Sequence, residues 1–235
     1  MFMQAAQASI VLAATRVVFP ANEREVTIRL SNEGEAPALV QTWLDKGDAD
    51  ASPSTLEVPF TLTPVMFRVD PHKGQTLRLI YGKQPLASDK ESLFWLNVLE
   101  VPPKAQAAED ANRLQLAYRT RIKVLFRPES LAGKAEDAPA AVKWRLVHSP
   151  RGKGLALQGY NSSPYYVNLG SIAALGTNGK EYDAGAGYIP PGASQTFPLS
   201  DEGTANISRV RYSAINDWGG PLPGELTVEP LANVP

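Results

Sequence analysis

The chain has 235 residues, of which 43% are hydrophobic and 20% charged, and its formal net charge is −1. This balance is typical of a folded protein with a buried core, and it excludes strong bulk attraction to nucleic acid or to an anionic membrane surface. Cysteine is absent, which excludes disulfides, thiolate metal ligands and a cysteine nucleophile.

The first eight residues end in Ala6-Gln7-Ala8, which has the small-x-small form of a signal-peptidase site. The residues before it lack the charged and apolar regions of a complete signal peptide. We interpret residues 1–8 as the remnant of a signal or leader region, with cleavage after Ala8. An ordinary alanine-rich tail is the alternative.

Strand patterns follow one another through the first half of the chain. Val26, Ile28 and Leu30 alternate with polar residues, which is the period of two of a half-buried strand. Residues 39–44 and 94–99 are denser apolar runs, as expected for strands that pack on both faces. Short strands separated by turn formers predict antiparallel β-sandwiches.

The longest strand pattern covers residues 114–128. Large apolar residues occupy one parity and basic residues the other: Leu114, Leu116, Tyr118 and Ile122 against Arg119, Arg121 and Lys123. One interpretation is a core strand whose apolar face lies inside its own sandwich. The other is an edge strand that offers main-chain hydrogen bonds and an apolar row to a partner protein. Nucleic-acid binding is disfavoured, because acidic residues elsewhere balance the charge and no recognition helix or base-stacking motif is present.

The second half is also strand-like. Residues 129–141 have little to bury and are interpreted as a linker, and strand patterns follow at 142–147, 155–157, 165–169 and 226–228, with glycines and prolines in the gaps between them. We therefore predict two domains, at residues 9–130 and 138–235.

Residues suited to catalysis are few. His72 in a turn and His148 at a strand end are interpreted as surface residues, and there is no nucleophile elbow, zinc-binding helix motif or phosphate-binding loop. We predict no enzymatic activity, no catalytic or metal-binding residue and no cofactor. The alternative to a strand-donating protein is a secreted β-sandwich adhesin or carbohydrate-binding module, whose sugar platform would use Trp95, Trp144, Trp218 and the Tyr165-Tyr166 pair.

Five segments, at residues 15–19, 91–103, 121–128, 163–167 and 215–220, resemble in chain order the motifs of the PapD-like periplasmic pilus (fimbrial) chaperones. The resemblance implies an all-β fold of two tandem immunoglobulin-like β-sandwich domains set at an angle. It implies a periplasmic chaperone that stabilises pilin subunits by donor-strand complementation and delivers them to an outer-membrane usher. Neither ATP nor a cofactor is then expected, and neither nucleic acid nor membrane insertion.

The resemblance also implies roles for individual residues. Leu114, Leu116 and Tyr118, with Ile122 further along, would fill the groove of the subunit. Arg16 and Lys123, in an interdomain cleft, would anchor the subunit's C-terminal carboxylate. An interdomain salt-bridge network would consist of Glu91, Arg127 and Asp217.

Two further expectations concern the N-terminus and the loop that precedes the long strand pattern. Arg16 is the eighth residue counted from Ser9, which agrees with the mature N-terminus of the family and supports cleavage after Ala8. The loop at 104–113 is closer to the short-loop subgroup that builds rod-like pili. The resemblance leaves open a homodimer in which two free copies cap each other's strands.

Overall fold

The computed structural model describes residues 9–101, 117–150, 154–200 and 206–231. Contacts divide the chain into two units, the first formed by residues through Leu86 with Ser92–Phe126 and the second by Ala87–Glu91 with the residues from Arg127 onward. Apart from two short 3-10 helices, Pro53–Thr55 and Ala138–Ala141, the regular elements of the described residues are strands. The predicted all-β class is confirmed.

The first nine strands form two sheets, one with the order β1-β3-β7-β5 and the other with the order β2-β9-β8-β4-β6. Their bounds are β1 (Ile10–Leu12), β2 (Arg16–Pro20), β3 (Glu25–Asn32), β4 (Ala38–Asp45), β5 (Phe60–Thr63), β6 (Met66–Val69), β7 (Gly74–Tyr81), β8 (Ser92–Val101) and β9 (Tyr118–Arg127).

Aromatic side chains fill one end of the core between these sheets. Phe60 lies 5.0 Å from Phe94 and 5.3 Å from Phe19 between ring centroids, and Tyr81 lies 4.7 Å from Phe126. Tilted and edge-on pairs at such distances contribute about 0.5–1.5 kcal/mol each beyond the area that they bury. This cluster joins β2, β5, β7, β8 and β9 into one sandwich.

Strand β9 is paired with β8 without a bulge, from Tyr118 opposite Glu100 to Phe126 opposite Ser92. Because side chains alternate along a strand, Ile122 and Val124 point into the core, where they are 7% and 0% exposed. The prediction that Ile122 belongs to an outward-facing apolar row is therefore wrong. Ile122 does lie on the apolar face of the strand, as predicted. From Ile122 onward, however, this face packs inside the protein's own sandwich.

The remaining strands form a single seven-stranded sheet in the order β13-β12-β15-β16-β10-β11-β14. Their bounds are β10 (Lys143–His148), β11 (Leu155–Tyr160), β12 (Val167–Gly176), β13 (Glu181–Ile189), β14 (Ser194–Pro198), β15 (Ile207–Ile215) and β16 (Pro221–Glu229). A short parallel pairing of β10 with β16, at Trp144 opposite Val228, joins the two halves of the sheet. Trp144, 2% exposed, lies in the core that both halves enclose.

Several glycines that were assigned to gaps between strands lie within strands. Gly185, in β13, has a φ of +79° and lies opposite a register shift in β12, where a bulge suits a residue without a Cβ. Gly159, in β11, leaves room for the core, because a Cβ there would lie 2.6 Å from Cδ1 of Ile189. The segment interpreted as a linker also buries side chains, since Ala138 and Pro139 are buried in the second unit.

Replacing Ile122 by alanine tests the inward orientation of this residue. We expect a loss of about 2–5 kcal/mol in the free energy of unfolding, measured by urea denaturation, because a large buried side chain is removed. The exposed Arg119 of the same strand provides the control, and Arg119→Ala should change stability by no more than about 0.5 kcal/mol. Equal effects of the two substitutions would place Ile122 outside the core.

Candidate functional site

Two basic residues meet on neighbouring strands of the first unit. Arg16 is the first residue of β2 and is 8% exposed, and Lys123 lies half-buried in the middle of β9. Burial, together with the positive charge of Arg16, lowers the pKa of Lys123 to about 8. The fold thus holds two like charges close together in a partly desolvated position, which is an arrangement that favours binding of an anion.

Strand β2 covers only part of the edge of β9. Arg16 lies near Lys123, and the ring of Phe19 lies 6.0 Å from that of Phe126, so β2 runs beside the half of β9 that begins at Lys123. The strand has five residues and β9 has ten. The half of β9 before Lys123 extends beyond β2.

A second cluster, which the sequence interpretation missed, surrounds the indole ring of Trp95. Trp95 lies directly opposite Lys123 in the β8–β9 register, with the Lys123 Nζ 5.5 Å from the ring centroid. The guanidinium of Arg121 lies 4.4 Å from the centroid of the same ring. Because cations over an indole are attracted by its quadrupole, Trp95 favours the charged form of Lys123 and opposes the effect of burial.

Asp45 holds Arg121 in place. The Nε and Nη2 of Arg121 donate to the two carboxylate oxygens of Asp45 over 3.1 and 2.5 Å, and the Nδ2 of Asn97 donates to Asp45 over 2.7 Å. Burial by itself would raise the pKa of Asp45, but hydrogen bonds from Arg121, Asn97 and the Gly47 N–H hold it below its ordinary value. The Asn97 amide is fully buried, and its Oδ1 accepts no hydrogen bond from any described residue.

This cluster forms where side chains of adjacent strands meet, and the sequence alone indicates it only weakly. Trp95 and Asn97 share one parity in β8, and Arg121 and Lys123 share one parity in β9, so each pair was readable as one face of a strand. The sequence does not predict that Asp45 is the partner of Arg121, because Asp45 is 76 residues away in the chain.

Ion pairs join the three residues that were predicted to form an interdomain salt-bridge network, and contacts assign all three to the second unit. Arg127 donates through Nη1 and Nη2 to both oxygens of Asp217, over 2.6 and 2.9 Å, and through Nε to Glu91 over 2.6 Å. The other oxygen of Glu91 accepts the Tyr166 N–H over 2.7 Å. Burial raises the pKa of Glu91, whose side chain is 0% exposed, although the charge of Arg127 and these hydrogen bonds act in the opposite direction.

The remaining predicted residues differ in their exposure, and some lie outside the described ranges. Tyr118, the first residue of β9, is half-buried, whereas Leu114, Leu116 and the loop at 104–113 lie outside the described residues. His72 and His148 are exposed, as predicted. Trp144 and Tyr165 are buried in the core of the second unit, so neither can contribute to the sugar platform suggested by the sequence.

In the described ranges, no group of three or more His, Cys, Asp or Glu side chains is placed to hold a metal ion. Nor does any helix among them have the length and apolar character needed to cross a membrane.

Together these features define a tandem β-sandwich protein with a basic pair beside a partly covered strand edge. Residues 9–132 match the family model described as pili and flagellar-assembly chaperone, PapD N-terminal domain, and residues 137–226 match pili assembly chaperone PapD, C-terminal domain. The chain therefore belongs to the PapD family of pilus-assembly chaperones, which confirms the resemblance seen in its motifs.

Individual relatives agree with this assignment. The chain is 43% identical to the probable fimbrial chaperone YadV of Escherichia coli K12, over 95% of this chain and 91% of the relative. It is 43% identical to the chaperone protein FimB/FhaD of Bordetella pertussis, over 95% and 90%. Among solved structures, the Salmonella enterica SafA pilin in complex with the SafB chaperone matches with a TM-score of 0.77 and 27% identity, over 95% of this chain and 98% of the matched chain.

Replacing Arg127 by alanine tests the network of the second unit. The substitution leaves the buried carboxylate of Glu91 without its cation, which should cost about 3–5 kcal/mol of the free energy of unfolding at pH 7. Because the pKa of Glu91 is already raised by burial and then rises further, protonation restores a neutral group in the folded state. The deficit relative to wild type should shrink as the pH falls toward the ordinary value of 4.5.

Urea denaturation of both proteins between pH 4.5 and 8 measures this deficit. The control is Arg145→Ala in the same unit, because Arg145 is exposed and its Nε donates to the neutral Gln158 side chain over 2.7 Å. A deficit that stays constant over the whole pH range would contradict a role for the Glu91 carboxylate.

Proposed function

We propose that this chaperone stabilises a pilin subunit by adding strand β9, with the residues before it, to the subunit's open sheet. The observation that carries the proposal is the position of the basic pair, which lies where β2 stops covering the edge of β9. Main-chain groups of the half that β2 does not reach can then pair with a subunit strand, while Arg16 and Lys123 bind a carboxylate at the end of that strand.

The apolar contribution comes from residues ahead of Ile122. Leu114, Leu116 and Tyr118 share one parity, so in a continuous strand they would enter the same groove of the subunit. Each large side chain removed from water contributes about 1.5–3 kcal/mol. Ile122 is excluded from this row because it stabilises the chaperone's own core.

The two cations have complementary roles in the anchor. The guanidinium of Arg16 can donate two parallel hydrogen bonds to a carboxylate, and the ammonium of Lys123 adds a compact charge. Binding at a fixed point also sets the register of the added strand, because a slip of one residue would turn every apolar side chain to the wrong face.

The remaining steps place this activity in the cell. The chain is exported to the periplasm, its first eight residues are removed after Ala8, and the subunit is delivered to an outer-membrane usher. A related structure supports this partner, because the matched SafB chaperone was solved in complex with SafA pilin. The chaperone acts by binding alone, without catalysis, cofactor or ATP.

Periplasmic co-expression with candidate pilin subunits tests the anchor. Arg16→Ala and Lys123→Ala should each lower subunit recovery in a pull-down about tenfold or more, because a charge-assisted hydrogen bond is lost. Arg29→Ala, which changes an exposed arginine of β3, should leave recovery unchanged. Melting curves establish that the variants are folded, and recovery at the wild-type level by both anchor variants would refute the assignment.

The pH dependence of binding provides a second test. Lys123 has a pKa of about 8 in the free protein, and a bound carboxylate must raise it, so binding takes up a proton above pH 8. The Kd for a peptide with alternating apolar residues and a free C-terminal carboxylate should therefore increase between pH 8 and 9.5, by up to about tenfold per pH unit.

Lys123→Arg is the matched variant for this measurement. Arginine stays charged throughout the range, so the Kd of this variant should be independent of pH whatever its absolute value. The C-terminal amide of the same peptide should bind weakly at every pH. A rise in Kd that persists in Lys123→Arg would assign the titration to another group.

A further inference from the structure

The carboxylate of Glu100 in β8 holds the main-chain nitrogen of Ser9. The Ser9 N–H donates to Oε2 over 3.0 Å, the Ser9 hydroxyl donates to Oε1 over 2.7 Å, and the Ile10 N–H reaches Oε2 at 3.4 Å. Both residues are half-buried. Both oxygens of this carboxylate thus accept hydrogen bonds from the segment at Ser9 and Ile10, which is not a helix N-terminus.

The rest of the surroundings fix Ser9 closely. Its carbonyl accepts the Glu33 N–H over 2.8 Å, and Ile10 begins β1, which pairs with the end of β3 at Asn32. A Cβ on Gly34 would lie 2.7 Å from the Cβ of Ser9, so the turn after β3 packs directly against it. Ser9 therefore contacts two acidic residues, Glu100 through its side chain and Glu33 through its main chain.

We propose that Glu100 is the receptor for the α-ammonium group of the mature chain, created when the Ala8–Ser9 bond is cut. Hydrolysis of this bond by one water molecule leaves a carboxylate on Ala8 and an amine on Ser9, which takes up a proton. The Ala6-Gln7-Ala8 motif locates the cut, and the nitrogen that it releases is already within hydrogen-bond distance of the carboxylate.

Processing thereby changes the contact from a neutral amide hydrogen bond to an ion pair. An ammonium has three donors and a full charge, so the same geometry becomes a charge-assisted interaction. Since β1 belongs to one sheet and β8 to the other, the ion pair ties the two layers of the first unit.

The ion pair lies at the end of the sheet from which the donor strand starts, because Glu100 is the register partner of Tyr118. The inference rests on the proposed function for its meaning: removal of the export signal would complete the strand-donating end of the first unit. Its physical content, an ion pair between Ser9 and Glu100, does not depend on any subunit.

Four proteins test the proposal: the chain starting at Ser9 with a free amine, the chain starting at Met1, and Glu100→Gln in each. In the chain from Ser9, titration followed by NMR should give an α-amine pKa about one unit above the ordinary 7.7–8.0. The Glu100→Gln variant should return it to that range. An unchanged value in the variant would overturn the proposal.

Thermal melting of the same four proteins distinguishes an ion pair from a merely structural glutamate. With a pKa raised by folding, the ammonium contributes stability that is complete below about pH 7.7 and is lost as the pH rises through the folded value. Glu100→Gln should therefore lower the Tm of the Ser9 chain by about 2–4 °C at pH 7 and by less at pH 10. The effect in the Met1 chain should be smaller, and equal losses in both chains at both pH values would overturn the ion pair.

The mass of the N-terminal peptide from periplasmic protein tests the cut itself. A peptide that begins at Ser9 supports it, and one that begins elsewhere overturns it. Because none of these measurements uses a subunit, their failure would leave the carboxylate anchor at Arg16 and Lys123 to be judged on its own experiments.

Discussion

The alternation of side chains along β9 is the constraint on which both the core and the candidate site depend. Ile122 and Val124 fill the sandwich, and the residue between them, Lys123, must point to the other face. The same register places Trp95 opposite Lys123. A slip of one residue would bury the lysine in hydrocarbon and expose the two apolar side chains, so the free energy of core packing also fixes the position of the basic group.

The cations of β9 differ because of what surrounds each of them. Arg121 is neutralised by the buried carboxylate of Asp45, and Arg127 by Glu91 and Asp217. Lys123 instead has another cation, Arg16, beside it. A buried ion pair is seldom more stable than a well-packed apolar pair, so the two arginine networks are better explained by the orientation they impose than by net stabilisation. Burial and this neighbouring cation both oppose the charged form of the lysine.

The sequence predicted the elements whose signal is local. Alternation located β3 and the dense apolar runs located β4 and β8, whereas β13 was missed because its bulge requires the glycines that otherwise mark turns. Periodicity grouped Ile122 with the outward row because it reveals which residues share a face but not which face is inside. The contact between Asp45 and Arg121 joins residues far apart in the chain, and no pattern within a single strand predicts it. Glu91, Arg127 and Asp217 were found only because a family resemblance named them.

The surroundings of the basic pair bear on which ligands the proposed anchor would select. Folding brings Arg16 and Lys123 together in a partly desolvated position, and the lowered pKa of Lys123 is the sign that its charged form is opposed there. The indole of Trp95 attracts the ammonium and so favours the charged form of the lysine. A bound carboxylate would gain its own hydrogen bonds and would also relieve the repulsion between the two cations. A neutral group of the same shape would gain neither, so the proposed anchor would favour a chain terminus over an internal segment.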